Sequence, residues 1–167
     1  IRFEIKKRAL TKPLVYETLL DNLRNFSILE AVDLLIAFSA IGHEPDLTPF
    51  LKSWLFEKRK LLMPRFDNES SAYELAEISD FEQDMVLGFY DIKEPSISLK
   101  KVIPPVNSSK VWLIPGLAFS ESGARLGRGA GYYDRLLQGT SGPKVGICLE
   151  YQLVDEIPVL EYDVNMD

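Results

Sequence analysis

The sequence predicts an α/β layered fold with a mostly parallel central sheet. Continuous aliphatic runs carry no polar alternation, as strands buried on both faces require: "AVDLLIAFSA" and "KVWLIPGLAF", with "KVGICLEYQLV" as a last strand. Between them lie segments with apolar residues at helical spacing and breaker residues at their ends. Strands that alternate with helices are connected most simply by crossovers, which gives parallel pairing and helices on the sheet faces.

Taken in order, residues 1–26 are rich in charge with apolar residues at helical spacing, and predict one or two helices broken near Pro13. "AVDLLIAFSA" then reads as a strand ending before Gly42. "GHEPDLTPFLKSWLFEKRK" supplies a turn, a cap at Asp46 or Thr48, Pro49 at a favoured early helical position, and the apolar residues Phe50, Leu51, Trp54 and Leu55. "KLLMPRF" is a further short strand. "SSAYELAEISDFEQDMVLGFYDI" is equally arguable as strand or helix, and "EPSISLKKVIPPVNSSK" has loop composition inside the domain. "KVWLIPGLAF" is a buried strand, "YYDRLLQG" begins a helix, and "KVGICLEYQLV" is a last strand leading to "DEIPVLEYDVNMD".

A chain of 167 residues, 46% of them hydrophobic, suits one domain with one core. Its formal net charge of -6 lacks the basic excess of a general nucleic-acid binder. The longest apolar run, "VDLLIAFSAIG", is interrupted by Asp33 and too short for a membrane helix, and no signal-peptide pattern opens the chain. The single cysteine, Cys148, excludes an internal disulfide and a cysteine-rich zinc site, and its apolar surroundings predict packing. The expectation is a soluble, cytoplasmic protein with a small-molecule substrate and no nucleic-acid or membrane partner, a monomer being favoured over an oligomer.

The chemistry concentrates in "GARLGRGAGYYDR", residues 123–135. After a strand and before a helix, Gly127, Gly129 and Gly131 free the backbone to take positive φ and to present N–H groups. A helix start adds unpaired donors and partial positive charge. Arg125 and Arg128 add full charges on planar donor forks, and Asp134 can hold a magnesium ion. This describes a phosphate cradle, although the spacing fits neither the P-loop nor the dinucleotide fingerprint. On spacing alone, a glycine-rich turn with solvated arginines stays open, as does Asp134 acting only as a helix-dipole partner.

"PGLAFSESGARLGRGAGYYDRLL" closely resembles the signature of the 5-formyltetrahydrofolate cyclo-ligase family, the methenyltetrahydrofolate synthetases. "IRFEIKKR", "EPDLTPFL", "KLLMPR", "GFYDIKEP" and "YQLVDEIPVLEYDVNMD" resemble further segments of that family, so nearly the whole chain is covered. The resemblance implies a three-layer α/β/α sandwich of the sugar-isomerase and CoA-transferase type. It also implies a single domain over 1–167, lacking a few residues at both ends.

The implied reaction is ATP- and Mg2+-dependent cyclisation of 5-formyltetrahydrofolate to 5,10-methenyltetrahydrofolate, releasing ADP and phosphate through a phosphorylated formyl group. A non-catalytic folate-binding relative is the alternative. By the same resemblance Arg125, Leu126, Gly127, Arg128, Gly129, Ala130, Gly131, Tyr132 and Tyr133 form the nucleotide loop, with Arg125 and Arg128 catalytic. Arg128 to Tyr132 also face the folate, and Arg2 reaches the ATP phosphates. Glu44 pairs with the donor edge of the pterin, Tyr90 packs on it, and Asp134 and Asp163 hold the metal. The residues themselves also allow Arg2 as a solvated helix face, Glu44 as a helix cap, Tyr90 as core and His43 as a turn residue. Asp163 is one of five acidic residues between Asp155 and Asp167. Arg128 and Ala130 depart from residues frequent in the family, and the Cβ of Ala130 restricts close approach of that backbone.

Overall fold

The computed structural model describes residues 16–88 and 91–167. Arg2 and Tyr90, and the helix break expected near Pro13, lie outside the described residues. The helices are α1 (Tyr16–Arg24), α2 (Ser27–Glu30), α3 (Thr48–Phe56), α4 (Phe81–Asp84) and α5 (Tyr132–Leu137). The strands are β1 (Leu34–Ile36), β2 (Lys60–Asp67), β3 (Ala72–Ile78), β4 (Met85–Leu87), β5 (Lys93–Pro95), β6 (Lys110–Ile114), β7 (Ala118–Phe119), β8 (Arg125–Leu126) and β9 (Lys144–Gly146).

Five strands form the central sheet in the order β3-β2-β1-β6-β9. The pairs β1–β2, β1–β6 and β6–β9 are parallel, and only β2–β3 is antiparallel. Every residue of β1 and β6 is buried, which is why their sequences run apolar without alternation. Register sorts them into two faces. Leu35 sits between Leu61 and Val111, and these pack with Leu23, Leu29, Phe50, Leu51 and Trp54 from the helices α1 to α3. Leu34, Ile36, Leu62, Trp112 and Ile114 face the other way, against Leu137 of α5. Helices therefore cover both faces, in the three layers expected. Among the described residues nine of the twelve largest fully buried side chains stand on the central sheet, each contributing about 1.5–3 kcal/mol.

The ambiguous stretch 70–92 resolves by pairing. Residues 72–78 make seven register pairs with β2, an extent of sheet that overrides helical propensity. Asp80 then caps α4, accepting from the N–H groups of Glu82 and Gln83. The loop-like segment after it contains β5, paired antiparallel with β4 in a ribbon separate from the main sheet. The last strand is shorter than "KVGICLEYQLV" suggests: β9 ends at Gly146, and Glu150–Gln152 form a 3-10 turn. Buried Gln152 donates to the carbonyl of Gly116, between β6 and β7, at 2.9 Å, so the chain after β9 leaves the sheet edge to reach that turn. Cys148 is half-buried, and burial pushes its thiol up from the ordinary range, in keeping with packing.

Gly123 (φ +85°) turns the hairpin between β7 and β8, and a Cβ there would lie 2.3 Å from the carbonyl oxygen of Met166. The carbonyl of Gly123 also accepts from the Met166 N–H at 2.8 Å, so this turn docks the closing segment that carries Asp163. Gly123→Ala is expected to cost about 1–3 kcal/mol, from left-handed backbone strain and the clash together. Thermal melting should register a fall of several degrees; an unchanged melting temperature would show that the closing segment is not held here.

Candidate functional site

A cavity of about 330 Å3 opens beyond the carboxyl ends of β1 and β6, where parallel α/β sheets bind ligands. Ser39 and Ile41 after β1, Pro115 and Gly116 after β6, and Pro64 and Phe66 of β2 line it, together with residues 125–134. The glycine segment reaches it by a route the sequence only partly discloses. From β6 the chain makes the β7–β8 hairpin, with Phe119 opposite Arg125 and Ala118 opposite Leu126. The loop 127–131 follows. Gly129 (φ +102°) and Gly131 (φ +66°) take the left-handed backbone expected of them, and Gly131 is the N-cap of α5. Arg135 donates to the carbonyl of Ala130 at 3.0 Å and closes the loop on its own helix.

Arg125 is no solvated arginine. Its side chain is 4% exposed and its Nη2 donates to Asp134 Oδ1 at 2.7 Å. Its Nε is buried and has no partner among the described residues. A guanidinium left with one unsatisfied buried donor beside a cavity is suited to an anionic ligand. Asp134, at 18% exposure, also accepts from the backbone N–H of Val164 at 3.4 Å. That contact brings the neighbouring Asp163 to the same cavity, where its carboxylate accepts from the Leu160 N–H at 2.8 Å. Asp134 thus binds a side chain and the closing segment, which a dipole partner alone would not do. Among the described residues no group of three or more His, Cys, Asp or Glu side chains is placed to hold a metal. Two carboxylates remain, a set that suits magnesium, which keeps waters and takes phosphate oxygens as its other ligands.

Glu44 is buried, and it does not cap a helix. The Thr48 N–H at the start of α3 is met by Asp46 at 2.9 Å instead, while Glu44 Oε2 accepts from the Ile41 N–H at 2.9 Å. Glu44 Oε1 accepts from Arg128 at 3.1 Å (Nε) and 3.0 Å (Nη2), and Arg128 also donates to the Ile41 carbonyl. Arg128 therefore bridges the glycine loop to the turn after β1. Burial pushes the Glu44 carboxyl above its ordinary range; Arg128 and the Ile41 N–H oppose that shift. His43 is exposed in this turn, where its carbonyl accepts from the Tyr151 hydroxyl at 3.2 Å.

The remaining wall is aromatic. Tyr132 stands edge-on to Phe66 and Tyr73, with centroids 5.2 and 5.4 Å apart, and Tyr73 meets Tyr133 at 5.6 Å. Arg125 also meets Tyr133, its guanidinium carbon 5.7 Å from the ring centroid. Burial raises the Tyr133 phenol well above its ordinary range and the Tyr73 phenol to a lesser extent, so both stay neutral donors. Phe66, Tyr73 and Glu94 are lining residues that sequence reasoning missed. Strand alternation in "KLLMPRF" was the available signal for Phe66; Tyr73 and Glu94 have no local signature, because partner strands bring them here.

The geometry thus joins Glu44, Arg125, Arg128, the glycine loop, Tyr132, Tyr133, Asp134 and Asp163 around one cavity. Residues 17–167 match the model of the 5-formyltetrahydrofolate cyclo-ligase family. The chain belongs to this family. Among relatives, the 5-formyltetrahydrofolate cyclo-ligase of Escherichia coli K12 is 30% identical over 132 residues, 77% of this chain and 72% of that protein. The cyclo-ligase of Mycolicibacterium smegmatis is 30% identical over 140 residues, 78% of this chain and 69% of that one. Among solved structures, the 5,10-methenyltetrahydrofolate synthetase of Aquifex aeolicus superposes with a TM-score of 0.79 at 27% identity, over 99% of this chain and 87% of that chain. The synthetase of Mycoplasma pneumoniae shares the fold, with a TM-score of 0.66 at 19% identity over 99% and 93% of the two chains. No described helix is long and apolar enough to cross a membrane.

Proposed function

We propose that this chain cyclises 5-formyltetrahydrofolate to 5,10-methenyltetrahydrofolate with ATP and Mg2+, acting as a single-domain, cytoplasmic, monomeric enzyme. The observation that carries this reading is that a buried carboxylate and a buried guanidinium with a spare donor share one aromatic-walled cavity in a cyclo-ligase chain. ATP supplies the phosphoryl group that makes the formyl oxygen a leaving group; folate N10 then attacks the formyl carbon, and phosphate departs with that oxygen, leaving ADP.

The protein's part in such a transfer is positioning and charge neutralisation. Glu44 accepts the parallel N–H bonds of the pterin edge, as a carboxylate does from a planar donor pair. The aromatic wall supports the folate rings and excludes water; the family resemblance also assigns Tyr90 to the pterin. Residues 125–133 surround the phosphates, with Arg125 held at a fixed angle by Asp134 and Arg128 reaching over from the rim; the family resemblance assigns Arg2 to the ATP phosphates as well. Asp134 and Asp163 would hold the magnesium ion through the oxygens that Arg125, Val164 and Leu160 leave available.

Mixing the protein with 5-formyltetrahydrofolate and Mg-ATP should produce the absorbance band of the methenyl product. Folate binding by calorimetry without growth of that band would favour the non-catalytic relative, and absence of both would reject folate as the ligand.

A further inference from the structure

We propose that Arg65 is a positioning residue for the folate side of the cavity, acting through the backbone turn Ser96–Leu99. The inference rests on the functional reading above. Along β2, Pro64 and Phe66 line the cavity while Arg65 between them points to the opposite side. Its side chain is 5% exposed. Nε and Nη2 both donate to Glu74 Oε1, at 2.7 and 2.6 Å, across the β2–β3 pair. Nη1 donates to the carbonyl of Leu99 at 2.9 Å and to that of Ser96. Lys101 takes the other oxygen of Glu74 at 3.3 Å.

Those two carbonyls belong to the turn that directly follows β5, and Ile92, Lys93 and Glu94 of that region form a wall of the cavity. The β4–β5 ribbon shares no strand ladder with the main sheet among the described residues. Other contacts must set where the wall stands. One lies on the cavity side, where Glu94 Oε2 accepts from the Phe66 N–H at 3.1 Å. Arg65 supplies another from the opposite side of the strand, gripping the chain two residues after Glu94, while the Ala76–Lys101 bridge and the Val102 N–H bond to the Leu75 carbonyl hold the segment further on. A guanidinium can do this because its planar fork binds a carboxylate and two carbonyls together; an ammonium meets fewer partners and fixes no plane. The wall that Arg65 holds meets Phe66 through Glu94 and so borders the aromatic side formed with Tyr73, whereas Arg125 is anchored on Asp134.

Releasing the turn should therefore weaken binding of the ring-bearing folate and spare the phosphate side. For Arg65→Met we expect the KM for 5-formyltetrahydrofolate, and its Kd by calorimetry without nucleotide, to rise about 10-fold, equivalent to about 1.4 kcal/mol of lost binding. The KM for ATP and kcat, normalised to folded protein, should stay within about 2-fold. Arg65→Lys should recover part of the folate affinity. Should Arg65→Met not fold, Arg65→Lys carries the test, and its folate Kd should still exceed that of the parent. An unchanged folate Kd in a folded variant, or a loss in which both KM values and kcat move together, would overturn the positioning role. A parent protein that itself binds no folate would overturn the functional reading and this inference with it.

Discussion

Arg125→Gln is expected to lower kcat/KM for ring closure on the order of 10²–10³-fold, the usual effect of removing a preorganised donor from a developing anion. The Arg125 guanidinium is almost fully buried and anchored on Asp134, so in the proposed role it would meet the phosphates without reorganising. Glutamine fills part of the volume but supplies neither charge nor the fork. The substitution also leaves Asp134 without its partner. Breaking a buried pair costs about 3–5 kcal/mol, and the 18% exposure of Asp134 places this case at the low end. Melting temperature should therefore fall by about 5–10 °C. The double substitution Arg125→Gln with Asp134→Asn separates the two effects, because it removes the stranded carboxylate. Stability should partly recover and turnover should not. Recovery of turnover would show that Arg125 acts only by holding the fold.

Glu44→Gln is expected to raise the KM for 5-formyltetrahydrofolate about 10–100-fold, from the loss of hydrogen bonds to a charged acceptor. An amide offers one oxygen and presents its NH2 group to donors on the substrate, so one favourable contact becomes a repulsive one. The pH dependence supplies a second readout. Burial raises the folded-state pKa of Glu44 above its ordinary value of 4.5. The folded protein then binds this proton more tightly than the unfolded chain does. The corresponding stability is fully present below 4.5 and is lost as pH rises from there through the raised folded value. Folate recognition runs the other way, because the ionised carboxylate is the form that accepts two N–H bonds. Affinity should rise with pH through the same window in the parent and be flat in Glu44→Gln. A parent profile with no such rise would remove Glu44 from the pterin edge. Arg128 opposes the upward shift, so Arg128→Ala should move the window higher.

Much of this architecture is legible along the chain because its causes are local. The burial of β1 and β6 on both faces leaves no polar alternation, and the absence is itself the signal. Gly129 and Gly131 stand where the backbone takes positive φ, and α5 begins where the tyrosines follow them. The boundaries of the last strand were less legible: β9 stops at Gly146, and Gln152 beyond it bonds the carbonyl of Gly116, a partner in the turn after β6 that is remote in sequence. Glu44 shows the same limit at the level of a side chain. Next to a helix start it reads equally as a cap; Asp46 takes that task, and Glu44 is left for the cavity.

What the sequence by itself determined is the layered α/β class, the glycine loop between strand and helix, and membership of the cyclo-ligase family, all set by residue types at short spacing. Only the tertiary structure decided that Arg128 meets Glu44 across 84 residues, and that Arg125 is buried against Asp134. It alone decided that Phe66, Tyr73 and Glu94 complete the wall that Arg65 holds from behind. The physical reason is that periodicity and backbone freedom are properties of neighbouring residues. The partners of a buried charge are chosen by crossovers and strand register, which bring together side chains that no local pattern relates.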